Sequence, residues 1–452
     1  MKKRIAIYIA ISMLILVSSC VNSDTDEELS PYAIITSFKL GNIQSDYPAF
    51  TATGEDTVVT KTILGSSFPF TIDQAACRIF NADSLPYATN VDKVVMDMQL
   101  DGYAMIYVDS IGEYDYFAAT DSIDFSYPRK FRITSLNGEN HRDYTVSVNV
   151  HQVDPDLMVW NRYRSVSGMR PLRALEFDGK MALFGENGGN LVVATSGLEG
   201  APVWQLSTLS GLPATADLST VQLFKEALYL VADDGVYTSS NAIDWALSYA
   251  RTGLHAIVGA SDDDGKMLVV GDDCMLSTTD GYIFDVTGPL PSGFPLYGIS
   301  IASNTMSHNS GIVRYMAVGY ATKEMSGDAV VWSRLSTENG WVKYDNRNNP
   351  YPCPSLKGLS VVEFDNFLYA VGGAGVAQGK NVGAFSSFYV SKDKGTTWKE
   401  LDDFYQRLPN DLKGDNSPFA VTVDSNNMMW IIIAGDEPVA WKGTVNRLGF
   451  KN

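Results

Sequence analysis

Hydrophobic and polar residues alternate along the first part of the chain, in short runs separated by turn residues. The clearest run is 144–150, YTVSVNV, in which every second side chain is apolar or aromatic, the pattern of a half-buried strand. Similar runs lie at 33–40, 91–100 and 104–108, and Asn137-Gly138 is a tight-turn dipeptide. No helical period of useful length interrupts them. Residues 31–153 are therefore predicted to form an immunoglobulin-like β-sandwich.

Beyond this region one strand pattern recurs six times. Its strongly apolar strand reads KMALFG at 180–185, ALYLVA at 227–232, KMLVVG at 266–271, YMAVG at 315–319, FLYAVGG at 367–373 and MWIIIAG at 429–435. An aromatic residue opens the final strand of the first five units, namely Trp204, Trp245, Phe284, Trp341 and Trp398. Four-stranded propeller blades repeat in this way. The fold class is therefore expected to be all-β, with a six-bladed β-propeller at 157–452.

The sixth unit, 417–450, has no such aromatic strand of its own. Residues 159–163, VWNRY, resemble 203–206, VWQL, and strand 157–164 is expected to complete the last blade and close the ring, which removes open sheet edges. Asp154-Pro155-Asp156 marks the domain boundary, because proline restricts its neighbour and lacks a backbone donor. Longer units carry insertions near 303–311 and 346–355, which are predicted to be loops on the rim.

The N-terminus has the organisation of a targeting segment. Lys2, Lys3 and Arg4 precede an apolar run at 5–17 that is too short to span a membrane. Residues 16–20, LVSSC, resemble the lipobox of bacterial lipoproteins, which implies a signal peptide at 1–20 and a lipid on Cys20. The alternative is an ordinary secretory signal with an incidental cysteine. Residues 21–30 form an acidic tether that resembles a surface-export signal of Bacteroidetes lipoproteins; a periplasm-facing linker is the other interpretation.

Charge and cysteine content narrow the function classes. The chain has 34 Lys plus Arg against 52 Asp plus Glu, a net charge of −18, which disfavours nucleic acid as a partner. Besides Cys20, the chain has three cysteines, an odd number without metal-ligand spacing. They are expected to be small buried residues, although one pair of Cys77, Cys274 and Cys353 could bridge.

Residues 391–398, SKDKGTTW, match the Asp-box, S-x-D-x-G-x-T-W, of sialidases and other propellers. The motif implies a structural turn, with degenerate copies at 277–284 and 239–245. A glycine permits positive φ and the polar side chains bond turn amides. Sialidase chemistry also needs converging arginines, and only Arg173 and Arg314 lie near predicted inner strands. The motif residues are Ser391, Asp393, Gly395, Thr397 and Trp398.

Other catalytic or metal-binding patterns are not visible. The four histidines do not pair at zinc spacing, and neither a metal nor another cofactor is predicted. The acidic runs at 262–265 and 272–273 have calcium-ligand residue types without the spacing of a calcium loop, and they are expected to be solvated hairpin turns. The sequence assigns no catalytic residue.

Four tripeptides in the first region resemble the Asp-Ser/Thr-aliphatic acceptor of Bacteroidetes O-glycosylation, although chance could produce them. The acceptor residues are Thr57, Ser84, Ser110 and Ser122.

Taken together, the chain resembles uncharacterised Bacteroidetes surface lipoproteins with an N-terminal β-sandwich and a C-terminal propeller. This resemblance implies a lipid-anchored outer-membrane protein that faces the cell exterior. The leading hypothesis is a non-catalytic binding or scaffold protein with a glycan or protein ligand. A carbohydrate-active enzyme with carboxylates at the propeller centre is the alternative, since paired carboxylates suffice for glycoside hydrolysis. A subunit of an outer-membrane complex is a third.

Overall fold

A computed structural model describes residues 29–50, 56–116, 118, 120–306, 309–325, 327–401 and 406–449. The chain divides into two compact units between Asp154 and Pro155. Helical structure in the described residues is limited to the 3₁₀ helices Gly65–Ser67, Asn410–Leu412 and Asn446–Gly449. None of the helices in these ranges has the length and hydrophobicity needed to cross a bilayer. The predicted all-β fold class is confirmed.

The first unit is built from short strands in two larger sheets and one hairpin. Its strands are β1 (Ile34–Leu40), β2 (Asn42–Phe50), β3 (Asp56–Leu64), β4 (Thr71–Asp73), β5 (Arg78–Phe80), β6 (Val94–Asp101), β7 (Tyr103–Val108), β8 (Glu113–Tyr116), β9 (Ser122–Ile123), β10 (Arg129–Thr134) and β11 (His141–Ser147). One sheet has the order β1-β6-β9 and the other β4-β5-β11-β10-β7-β8, while β2 pairs with β3. All pairs are antiparallel except β5 with β11.

Both larger sheets contribute side chains to a single buried cluster. Tyr144 and Val146 of β11 project into it, as their alternation predicts. The strand ends at Ser147 rather than at residue 150, because the backbone N–H of Asn149 donates to the side-chain oxygen of Asn81 at 2.7 Å instead of to a neighbouring strand. Further cluster members from the two sheets are Ile35, Phe38, Ile79, Val94, Met96, Ile106, Phe131 and Ile133.

The second unit begins with β12 (Met158–Arg164) and continues through successive four-stranded sheets. The first has β13 (Met169–Phe177), β14 (Lys180–Asn187), β15 (Asn190–Gly197) and β16 (Gln205–Thr208). The second has β17 (Asp217–Phe224), β18 (Ala227–Ala232), β19 (Gly235–Ser239) and β20 (Ala246–Ala250). The third has β21 (Leu254–Ser261), β22 (Lys266–Gly271), β23 (Cys274–Thr278) and β24 (Asp285–Pro289).

The later sheets follow the same order with one addition. The fourth has β25 (Tyr297–Met306), β26 (Asn309–Tyr320), β27 (Val330–Leu335) and β28 (Val342–Lys343). The fifth has β30 (Ser360–Phe364), β31 (Phe367–Val371), β34 (Tyr389–Ser391) and β35 (Lys399–Glu400). A separate small sheet consists of β29 (Ser355–Leu356), which precedes β30, and of β32 (Gly375–Ala377) and β33 (Lys380–Val382), which lie between β31 and β34. The sixth has β36 (Phe419–Val423), β37 (Met429–Ile433) and β38 (Val439–Val445), with β12 at its edge.

The first strand of this unit pairs with the last. β12 is antiparallel to β38 along its whole length, so the sixth sheet joins the two ends of the unit. The strands that begin the six sheets, β13, β17, β21, β25, β30 and β36, contact one another in a closed cycle, in which β36 returns to β13. We call them the innermost strands.

Aromatic side chains at the start of the fourth strands fill the spaces between neighbouring sheets. Trp245 of the second sheet meets Phe184 of the first with ring centroids 6.2 Å apart, and Trp204 of the first meets Trp430 of the sixth at the same distance. Trp398 of the fifth sheet has no solvent exposure and packs into a cluster with strands of the fourth. Burial of large apolar surface at each junction explains why an aromatic recurs at this position.

The longer fourth unit differs from expectation. Residues 303–306 and 309–311 were predicted to lie in a rim loop, but they extend β25 and β26. Their polar side chains find partners in the neighbouring sheet: the hydroxyl of Ser303 donates to the carbonyl of Ala260 at 2.9 Å. Extended backbone is therefore compatible with a polar sequence there. Residues 346–354 contain no strand.

Candidate functional site

The innermost strands of the first two sheets hold a cation without an acidic partner. Arg173 lies on β13, directly after an irregularity in the pairing with β14. Its Nε donates to the carbonyl of Val221 at 3.2 Å and its Nη2 to Oε1 of Gln222 at 3.0 Å. Within the described ranges, no Asp or Glu forms an ion pair with it.

The environment of Arg173 is unfavourable to its charge. Protein atoms surround the side chain, yet solvent still reaches part of it. Burial lowers the pKa of Arg173 to about 10, because a cation is less well solvated among protein atoms than in water. The guanidinium therefore remains charged at neutral pH, with two neutral acceptors as its described partners.

The carboxylates on the innermost strands, by contrast, all accept hydrogen bonds from nearby groups or form an ion pair. Glu176 of β13 accepts hydrogen bonds from the backbone and hydroxyl of Ser425, at 2.7 and 3.0 Å. Glu363 of β30 forms an ion pair with Lys394 at 3.3 Å. Asp217 of β17 accepts from the backbone and the hydroxyl two residues later. These contacts link strands or order turns.

The acidic turn at 262–264 links sheets in the same way. Asp262 accepts from the backbone N–H of Lys225 at 2.7 Å. Asp263 accepts from the hydroxyl of Thr305, and Asp264 accepts from the hydroxyl of Tyr315. Burial and the bond to Asp264 raise the pKa of Tyr315. No group of three or more His, Cys, Asp or Glu in the described part of the chain could hold a metal ion.

Hydrogen bonds among its own residues hold the turn at 391–398, in addition to contacts with residues outside it such as the ion pair of Lys394 with Glu363. The hydroxyl of Ser391 accepts from the N–H of Gly395 at 2.7 Å and donates to Asp393 at 2.9 Å. Asp393 accepts from the backbone and hydroxyl of Thr397 at 2.8 and 2.7 Å. The indole of Trp398 donates to the carbonyl of Gly395 at 3.0 Å, and this glycine has φ of 92°. Its polar groups thus hold the turn and orient the tryptophan.

In the two degenerate copies a side-chain oxygen also accepts from turn N–H groups, but these lie two and three residues later, whereas Asp393 accepts from the N–H four residues later. Oδ1 of Asp280 accepts from the N–H groups of Tyr282 and Ile283 at 2.8 and 2.9 Å, and these backbone bonds lower the pKa of Asp280. Oδ1 of Asn241 accepts from the N–H groups two and three residues later at 2.9 and 2.8 Å. The amide oxygen of Asn241 thus makes the same two backbone contacts as the carboxylate of Asp280.

Surface cavities lie elsewhere. One, of about 560 Å³, is an open depression beside the 391–398 turn, lined by Val390, Lys392, Asp393, Thr397, Lys399, Glu400 and Leu401. A second, of about 260 Å³, lies on the sixth sheet, and its charged lining residues are Arg162, Asp411, Asp415, Asp436 and Glu437. Neither contains the innermost-strand groups, so cavity size alone does not identify the site.

The remaining predicted residues are scattered. Cys20 lies outside the described residues, whereas Cys77, Cys274 and Cys353 are free thiols, and burial raises the pKa of Cys353. Arg314 lies on β26, a second strand, and the structure does not bring it to Arg173. The four acceptor residues differ in exposure: Ser110 and Ser122 are exposed, and Thr57 and Ser84 are half-buried.

Sequence reasoning missed Gln222, the side-chain partner of Arg173. Its signal was a polar residue inside the apolar run VQLF at 221–224, where a buried amide needs hydrogen-bond partners.

Comparison with known families covers nearly the whole described chain. Residues 154–452 match the DUF6242 beta propeller domain, and residues 38–148 match the N-terminal domain of unknown function DUF6242. Among curated proteins, none matches this chain.

Solved structures with a similar fold have low sequence identity. A DUF4623 family protein from Bacteroides eggerthii is 11% identical, with a TM-score of 0.36, covering 91% of this chain and 98% of that one. An alpha-L-arabinanase of Penicillium chrysogenum in complex with arabinobiose is 13% identical, with a TM-score of 0.41, covering 64% and 99%. The GH74 enzyme of Niastella koreensis is 14% identical, with a TM-score of 0.36, covering 61% and 45%. None of these likenesses bears on function.

Proposed function

The chain belongs to the DUF6242 family, and from this premise we propose that it is a non-catalytic protein whose propeller binds a glycan or protein ligand or acts as a scaffold. One observation carries the proposal. Carboxylates on the innermost strands are tied to neighbouring groups, whereas Arg173 and Gln222 keep donors uncommitted. A glycosidase needs two carboxyl groups free to act on one glycosidic bond. The centre is therefore better suited to binding than to hydrolysis.

The propeller in this proposal has six blades, closed by strand 157–164. Six four-stranded sheets among the described residues, the cycle of innermost strands and the pairing of β12 with β38 support it. For the first unit we propose an immunoglobulin-like β-sandwich, since two sheets share one buried cluster. The turn at 391–398 is assigned as a structural Asp-box.

We further propose that lipid on Cys20 anchors the protein to the outer membrane, facing the cell exterior. The apolar run followed by LVSSC and the acidic tether support this assignment. Mass spectrometry of the mature protein should detect a diacylglycerol on an N-terminal cysteine, and C20A should abolish it. Protease added to intact cells should degrade the protein; survival until the outer membrane is broken would overturn the surface assignment and leave the anchor standing.

For O-glycosylation we propose the four acceptor residues, with Ser110 and Ser122 favoured by their exposure. At least one single alanine variant at these positions should remove a glycan mass from the protein isolated from its native cells. If the unmodified peptide mass is found at all four positions, modification is excluded.

The test of ligand binding uses the full-length protein against a panel of polysaccharides, with binding and release of reducing ends measured on the same samples. Binding without cleavage supports the proposal. Cleavage would establish the alternative, a carbohydrate-active enzyme. If no polysaccharide binds, co-purification from native membranes decides between a protein partner and failure of the proposal.

A further inference from the structure

We propose that Arg173 and Gln222 form a binding site for a single carboxylate group, of the kind carried by sugar acids. The site lies where the innermost strands of the first and second sheets meet. This inference rests on the proposed ligand-binding function and names the chemistry of the ligand.

The first argument is the set of donors left over. Arg173 uses Nε and Nη2 for Val221 and Gln222, and its Nη1 has no bond to a described residue. Gln222 is 8% exposed and uses Oε1 as an acceptor, while its Nε2 has no described partner. Neither nitrogen is among the buried, unsatisfied polar atoms of the described residues, so both reach solvent. Two neighbouring N–H donors fit the two oxygens of one carboxylate.

The second argument is charge. A buried cation normally has an acidic partner, because taking an isolated charge out of water is costly. Arg334 provides the contrast within this molecule. Arg334 is 8% exposed, and its pKa is lowered by burial, but nearby Tyr315, Asp264 and Glu338 partly counteract that effect. For Arg173 burial is the sole cause of the lowered pKa. An anionic ligand would supply the negative charge that no described Asp or Glu places beside Arg173.

The third argument selects a carboxylate over a phosphate. One guanidinium supplies one positive charge, and no Lys, Arg or His shares in the described hydrogen bonds of Arg173 or Gln222. With a net charge of −18, the protein repels a dianion more strongly than a monoanion.

The test measures binding of sodium glucuronate to the full-length protein by isothermal titration calorimetry, at constant ionic strength. Acetate and polygalacturonate serve as parallel probes and distinguish a small free acid from an acidic glycan. Glucose controls for the sugar ring, and sulfate and phosphate for general anion binding. We expect the carboxylates to bind. Glucose should bind at least about tenfold more weakly, because it lacks the charge-assisted hydrogen bond. Sulfate and phosphate should also bind at least about tenfold more weakly, because a protein with a net charge of −18 repels a dianion more strongly than a monoanion.

Variants locate the site. R173M should weaken glucuronate binding by about tenfold or more, Q222L by a smaller factor, and R173K should retain part of it because the charge remains. The matched control is R170M, on the same strand, where Arg170 is exposed and paired with Glu186; it should bind as the wild type does. Circular dichroism establishes that each variant is folded, and Q222L provides a second test if R173M is not.

The outcomes separate the two proposals. Carboxylate binding that R173M and Q222L leave unchanged, or equal binding of sulfate, overturns the site. Binding of neutral polysaccharides without any carboxylate binding overturns the site and leaves the proposed function intact. Glucuronate binding lost in R173M, together with cleavage of a polysaccharide, supports the site and overturns the non-catalytic assignment.

Discussion

The 391–398 turn and the Arg173 region use polar side chains in opposite ways. In the turn, the carboxylate of Asp393 and the hydroxyl of Ser391 bond to groups within the same eight residues. Arg173 instead reaches across to another strand, finds neutral acceptors and keeps a charge without an acidic partner. The difference teaches that the polar groups of a recognisable motif can bond to one another, whereas a cation without an acidic partner indicates where an anionic ligand could bind.

The strongest test of this comparison removes the buried aromatic of the turn. W398A should lower the free energy of unfolding by about 3–5 kcal/mol, because a large cavity forms at the junction of the fourth and fifth sheets. Chemical denaturation followed by fluorescence or circular dichroism measures it. W398F, which keeps most of the apolar surface and loses the bond to Gly395, should cost about 1 kcal/mol. Equal losses in both variants would contradict a role based on packing.

A smaller effect is expected at the carboxylate of the turn. Burial alone would raise the pKa of Asp393, but hydrogen bonds from Thr397 and Ser391 outweigh it and lower the pKa. D393A should cost about 1 kcal/mol, discounted because the side chain is exposed and solvent screens its contacts. D393N retains one acceptor oxygen for the backbone N–H of Thr397 and should cost less than D393A.

The pH dependence sharpens this prediction. Because the folded pKa of Asp393 is lower than the unfolded one, its stabilisation is present above the unfolded pKa and is lost as pH falls through the folded pKa. The stability difference between wild type and D393N should therefore shrink between about pH 5 and pH 2. A difference that stays constant over this range would mean that the charge contributes nothing to the turn.

The all-β fold could be predicted from sequence because its cause is local and repeated. All six units show the apolar strand, and the first five also show an aromatic residue, such as Trp245, which fills a junction between sheets. Local patterns did not reveal the extension of β25 and β26, since the polar residues there bond across to another sheet.

The candidate site was less accessible to prediction. The sequence placed Arg173 near an inner strand, but its partners lie 48 and 49 residues further along the chain. Which groups meet depends on the order of sheets and on strand register. Gln222 also sits in an apolar run where nothing in the neighbouring sequence distinguishes it from an ordinary buried amide.

The smallest expected effect on stability concerns Arg173 in the absence of ligand. Here the charged form of the side chain opposes folding, whereas the charged form of Asp393 favours it. Because the folded pKa of Arg173 is lower than the unfolded one, its charged form opposes folding, and this cost is relieved gradually as pH rises from about 10 towards the unfolded pKa. R173M should thus change stability at pH 7 by less than about 1 kcal/mol, since relief of the buried charge offsets two lost hydrogen bonds. The wild type should gain stability relative to R173M between about pH 9 and pH 11, measured by denaturation at matched ionic strength. R170M, which removes an exposed ion pair, should show no such trend.

A large destabilisation of R173M at every pH would mean that Arg173 holds the innermost strands together, as the polar groups of the 391–398 turn hold their own loop.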